Sequence, residues 1–220
     1  MASTLSPYGL RPIQLVGGQV FAGQFREYKF SVNTAAAIFA GDVIALASTG
    51  EPASITTTPV GIKIPATSAD ATAGIVGVCV GVRYVTPNLN QQQFAQYLPA
   101  NAVTAGYTDI FVRVVDDPDA LFQIQGTAAL GTFNSGTNGS GWSGAIGKNA
   151  ALGFVTAGNT RTGNSGVNLI VGSNGAGLVT TAATAMRVVD VVRGTESDLY
   201  PEFVVKFNQG VHSYYNSLGV

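Results

Sequence analysis

An all-β fold is what this sequence predicts, and three observations carry it. Short β-branched and aromatic runs recur along the chain, several of them alternating apolar and polar residues with a period of two. Twenty-eight glycines, with Ser, Thr and Asn clusters, punctuate those runs as turns. Helical periodicity of three to four residues is almost absent. The expected architecture is a β-tulip or sandwich-like core with an extended N-terminal arm and long Gly-rich loops.

Residues 1–24 hold Pro7, Gly9, Pro12, Gly17, Gly18 and Gly23 among Leu10, Ile13, Leu15, Val16, Val20 and Phe21. That is too apolar for a solvated tail and too rich in Gly and Pro for a core element, so it predicts an arm laid over a neighbour. The β domain is expected over 25–220, with a first part at 25–86 and an elaboration or second lobe at 87–220. Phe25–Val32 alternates, placing Phe25, Glu27 and Lys29 on one face and Tyr28, Phe30 and Val32 on the other. Ala35–Phe39 predicts one helical turn. Val43–Ala47 is a strand ended by Ser48, Thr49 and Gly50. Ile75–Val85 is a long β-branched run whose Gly77 and Gly81 predict a bulge or a close backbone approach.

Asn90–Tyr97, between Pro87 and Pro99, predicts a short helix. Tyr107–Val115 is a strand with Ile110, Val112 and Val114 on one face, and Leu121–Gln125 is a second, shorter one. Asp116, Asp117, Pro118 and Asp119 form the turn between them. Further strands are expected at Gly153–Ala157, Val167–Val171, Met186–Val192 and Phe203–Asn208. Long loops are expected at Thr132–Gly147, with Phe133 and Trp142 as anchors, and at 172–184.

Charge is scarce. The 220 residues include 11 Lys and Arg and 12 Asp and Glu, 10% of the chain, against about a quarter in ordinary domains. Spread over the on the order of 9,500 Å² that a folded chain of this size exposes, that is about one charge per 400 Å². Such a surface suits a protein packed against copies of itself or a partner. With a net charge of −1 and scattered basic residues, nothing recommends nucleic acid as a partner. No apolar run reaches membrane-spanning length, and the first residues lack the charged and apolar regions of a secretion signal.

The same scarcity empties the catalytic inventory. The single cysteine, Cys79, lies in an apolar run and reads as a small buried hydrophobe. The single histidine, His212, lacks a nucleophile or ligand partner at short spacing and reads as structural. Gly139–Gly144 matches G-x-G-x-x-G without the strand–turn–helix setting that a dinucleotide needs. Asp116, Asp117 and Asp119 lack calcium-loop spacing, which leaves a turn that caps backbone N–H groups. No catalytic residue, metal site or cofactor is expected. The residues expected to make contacts are Pro7, Tyr8, Leu10, Pro12 and Ile13 in the arm, and His212, Tyr214 and Tyr215 near the C-terminus.

Several phrases together carry a resemblance. They are Ser6-Pro7-Tyr8-Gly9-Leu10-Arg11-Pro12, Phe39-Ala40-Gly41-Asp42-Val43, Gly77–Tyr84, Val115–Gln125, Gly158–Gly163, and Val204–Asn208 with Gly210–Tyr214. Read as a set over nearly the whole chain, they resemble small virion structural proteins encoded beside the major capsid protein in tailed phages, notably marine and cyanobacterial ones. Gly41-Asp42-Val43 followed by Ile75-Val76-Gly77-Val78 is similar to the β-tulip of capsid decoration (cement) proteins, which this chain exceeds in length. The resemblance implies a homotrimer on the outer surface of the capsid, with the major capsid protein as partner. Alternative expectations are a head–tail connector, tail or head-fibre component, or a carbohydrate-binding β-sandwich using Trp142. An enzyme is the weakest reading, because nothing fixes the geometry of a carboxylate pair.

Overall fold

The computed structural model describes residues 4–30, 37–46, 62–63, 74–130, 141–154, 156–180 and 184–215. The fold is all-β. One six-stranded antiparallel sheet contains β1 (Arg11–Leu15), β10 (Ala120–Gln125), β14 (Glu202–Phe207), β13 (Met186–Val191), β11 (Asn149–Gly153) and β12 (Asn168–Ile170), in that spatial order. A second curls into a half-barrel from β2 (Arg26–Lys29), β9 (Thr108–Val115), β6 (Ile75–Val85), β4 (Val43–Leu46) and β5 (Ile62–Lys63). A small pair joins β3 (Ile38–Phe39) to β8 (Tyr97–Leu98).

Strand β6 organises the second sheet. It is long enough for β9 to cover one edge while β4 takes the first half of the other and β7 (Gln92–Ala95) the second half. Its first five residues are buried on both faces, which is why the sequence there is a continuous apolar run and not an alternation. Bulges at Val76, against β4, and at Val80, against β9, each shift the alternation by one. Ile75 and Val78 consequently join the core shared by both sheets, with Val80 packed against it. Val76, Cys79, Val82 and Tyr84 turn into the half-barrel. Ile110, Val112 and Val114 meet them there from one face of β9, as the period of two predicts. The shared core is centred on Phe122, Phe203 and Phe207, with Phe122 edge-to-face on Phe207 at 5.5 Å.

The arm is corrected over its middle. Arg11–Leu15 is an edge strand of the first sheet, paired with β10 through a bulge at Ile13. Pro12 is tolerated on an edge, where one side of the ladder needs no donor. Leu10 is 1% exposed and belongs to the shared core. Its N–H donates to the Gly41 carbonyl at 3.0 Å. Gly9, at φ +77°, packs so closely that a β-carbon would lie 2.6 Å from Ser165 Cβ and 2.7 Å from that same carbonyl oxygen. The buried Gln125 side chain accepts from Ser6 N–H and donates to the Thr4 carbonyl, fastening the segment before it.

The helix expected over Asn90–Tyr97 is replaced by β7 and the start of β8. The free second half of β6 needs a partner, and a hairpin through Pro87–Asn90 supplies it at once. Backbone pairing with a long neighbour outweighs the helical preference of Gln and Ala. The strand expected at Gly153–Ala157 lies earlier, at β11. Of the turn expected at Ala35–Phe39, Ile38 and Phe39 are strand, and residues 31–36 lie outside the described residues. Residues 131–140 and the Trp142 side chain, which bear on the loop anchors, the glycine motif and the carbohydrate reading, also lie outside them. Strands β7 and β9, from beyond residue 86, complete the sheet begun by β2, so the boundary expected at 86 does not divide the sheets.

Candidate interaction surface

Three segments distant in sequence meet at the turn between β9 and β10. Asp117 builds that turn by accepting from Asp119 N–H at 2.8 Å through its side chain, the backbone-capping role expected of it. The Asp119 carbonyl then accepts from Val16 N–H at 2.8 Å, which docks the hairpin Leu15–Val20 of the arm. The Asp119 carboxylate accepts from Lys206 Nζ at 2.6 Å and from Tyr215 Oη at 3.4 Å. Lys206 draws the Asp119 carboxyl below its ordinary value.

Asp116 gathers the third segment. One carboxylate oxygen accepts from Tyr28 Oη at 2.9 Å, Tyr214 Oη at 3.0 Å and Arg26 Nε at 3.0 Å. The two tyrosine hydroxyls lie 2.7 Å apart, and Arg26 also donates to Tyr214 Oη at 3.1 Å. Burial, then the Tyr214 and Asp116 contacts, push the Tyr28 hydroxyl well above its ordinary value, so it stays a donor. Tyr214→Phe removes the shared hydroxyl and keeps the ring. It is expected to cost about 1 kcal/mol, read as a lower urea midpoint at constant slope. An unchanged midpoint would show that this hydroxyl holds nothing in place.

The residues expected to make contacts divide. Tyr214 and Tyr215 are exposed and brought together with the arm's hairpin. His212 is corrected: it is 1% exposed, tilted against Phe207 at 6.1 Å, with Nδ1 accepting from Tyr214 N–H. Burial holds its imidazole below the ordinary histidine value, as fits a structural residue that positions the tyrosines. Leu10 is likewise internal. Pro7, Tyr8, Pro12 and Ile13 are half-buried along the edge of the first sheet, with the Arg11 guanidinium 4.0 Å from the Tyr8 ring centroid.

A second group was not singled out from the sequence. On the outer face of the half-barrel, Glu27 accepts from Arg83 at 2.8 Å and from Arg113 at 3.2 Å. Those guanidiniums in turn cover aromatic rings: Arg83 on Phe111 at 4.1 Å, and Arg113 on Phe94 at 4.5 Å and Phe25 at 4.9 Å. The signal available was the Phe25, Glu27, Lys29 face of β2. Phe25 and Arg26 are chain neighbours whose side chains alternate, so this group lies on the opposite face of β2 from the first. Val20 (80% exposed), Tyr214 and Tyr215 belong to the first group, and Phe94 (62%) belongs to the second. Among the described residues, no three His, Cys, Asp or Glu side chains gather as a metal set. Burial pushes the Cys79 thiol up to about 12, which makes it inert. Comparison with known protein families, curated proteins and solved structures returns no match.

Proposed function

We propose that this protein is a virion structural protein that decorates the outer surface of a phage capsid, as a homotrimer, and clamps neighbouring major capsid subunits. The observation that carries the reading is the exposed aromatic and aliphatic side chains of these two groups. They are Val16, Val20, Tyr214 and Tyr215 in the first group and Phe25 and Phe94 in the second, and their exposed area together is on the order of 500 Å². Each group is a nucleus for part of the about 800 Å² per partner in a stable complex, as suits a clamp with more than one neighbour. The candidate surface is backed by strands and fixed turns, so little ordering is lost on contact. Its polar groups are already paired within the chain, which suits a dry, shape-fitted contact more than a titrating site. The scarcity of charge and the phage-like phrases point the same way. Repetition over a particle would turn a modest contact into firm attachment.

The test is addition of the purified protein to capsids that lack it, followed by imaging and thermal challenge. The expected result is extra density on local threefold axes and a higher temperature of capsid disruption. Density at a portal or fivefold vertex would assign the chain to a connector or fibre instead. No density at saturating protein would overturn the structural reading.

A further inference from the structure

We propose that a second copy of this chain pairs with β2 through its free edge, antiparallel, about a twofold axis at Tyr28. The contact stands on the strand alone and does not depend on the capsid reading. On its inner side β2 pairs with β9, Tyr28 opposite Val112 and Arg26 opposite Val114. Phe30 N–H donates to the Ile110 carbonyl at 2.9 Å, and this sets the phase of the ladder. Residues of even number spend both backbone groups on β9, and Glu27 and Lys29 present theirs outward. Among the described residues no other strand takes them.

Only outward-facing residues can form bonded pairs across a new edge, so the symmetric registers are few. A twofold axis at Glu27 sets two carboxylates directly opposite. An axis at Lys29 sets two ammoniums opposite. An axis at Tyr28 sets Glu27 against Lys29 of the second copy, twice, as bonded pairs, with the two Tyr28 residues as the close unbonded pair between them. Charge and hydrogen-bond phase therefore select the same register. Glu27 is already held by Arg83 and Arg113, and its carboxylate has acceptor sites left for one more donor. Lys29 is exposed and has no ion-pair partner of its own among the described residues.

A short charged edge is also how a monomer blocks unwanted pairing. Such a block uses like charges, proline or a bulge. The outward-pairing residues of β2, Glu27 and Lys29, carry one charge of each sign at a spacing of two, and the strand contains no proline and pairs with β9 without a register shift. The pattern is self-complementary, and the contact is isologous. In a threefold assembly it would join one trimer to the next.

Sedimentation of the full chain, at concentrations up to about 1 mM, tests this. The expected result is a mass that doubles over that of the starting unit, monomer or trimer. Lys29→Glu sets a carboxylate against Glu27 and is expected to raise the dissociation constant about tenfold or more. Lys29→Pro removes the outward N–H together with the ammonium, leaves the ladder to β9 whole, and should abolish doubling. Lys148→Glu makes the same charge change just before β11, away from β2, and should leave doubling intact. Far-UV circular dichroism confirms that each variant is folded. A chain that never doubles, or doubling that survives both Lys29 variants, overturns the proposal.

Discussion

Replacing Gly77 by alanine is expected to unfold the chain or drive β6 out of register. A β-carbon built there lies 1.9 Å from the Val115 carbonyl oxygen, 2.8 Å from its carbon and 3.0 Å from Asp116 Cα. All three neighbours are backbone, so no side-chain rotation relieves the overlap. The strands that would have to part are the central pair of the half-barrel, and Val115 leads directly into the turn that gathers Tyr28 and Tyr214. Ordinary overpacking costs about 1–3 kcal/mol, and a clash with fixed backbone exceeds that. Against the about 5–15 kcal/mol that holds a domain together, this single methyl is decisive. Gly81→Ala is the internal contrast. Its nearest neighbour is the Ala95 carbonyl oxygen at 3.3 Å, and the loss, about 1–2 kcal/mol, arises from its backbone angle of +158°. Urea unfolding of both variants, with near-ultraviolet circular dichroism as the measure of packing, checks the pair. A Gly77→Ala protein as stable as the parent would mean that β9 does not pass where the structure has it.

Gly77 also shows what was legible in the sequence. A glycine inside a β-branched run predicts close backbone approach, and at Gly77 the approach is real. The faces of β9 were readable because one side lines a core and the other does not. The arm was misread because its order is non-local. Leu10 is buried through Gly9 against Gly41, and β1 pairs with a strand more than a hundred residues away. An edge strand with a bulge shows no clean alternation, since only part of it faces the core. The β7 hairpin was hidden for a related reason: its strand character comes from the uncovered half of β6, not from Gln91, Gln92 and Gln93 themselves. Half of the candidate surface was legible in Tyr214 and Tyr215, since exposed aromatics near a chain end invite attention. The Arg–Phe face was not, because Glu27 meets Arg83 and Arg113 across separations of 56 and 86 residues. Only the strand order brings them together.

Gly41-Asp42-Val43 carried part of the family resemblance, and the structure gives its acid a physical role with a measurable sign. Asp42 is buried, with Oδ2 accepting from Phe39 N–H at 2.7 Å and Oδ1 from Ser165 Oγ at 2.5 Å. Ser165 Oγ in turn accepts from Val167 N–H, so the carboxyl ties the β3–β4 turn to the segment leading into β12. Burial raises the Asp42 carboxyl from 3.8 to about 6, against the lowering pull of Ser165 and Phe39. Between those values the folded chain holds a proton that the unfolded chain has lost. Stability from this group is therefore highest in acid and falls as pH rises through the window from about 4 to about 6. The full loss is about 3 kcal/mol, at about 1.4 kcal/mol per unit. His212 acts in the opposite sense, because its buried neutral ring must take up a proton as pH falls through its window. The net profile of the parent thus mixes the two, and the difference from Asp42→Asn separates them. Asparagine keeps an acceptor for Phe39 N–H and a polar contact with Ser165, but does not titrate. Unfolding free energies of parent and variant, measured from pH 4 to pH 7.5, should diverge by about 3 kcal/mol in favour of the variant as pH rises. A constant difference across that range would mean that Asp42 titrates at its ordinary value, and so that water reaches it in the folded chain.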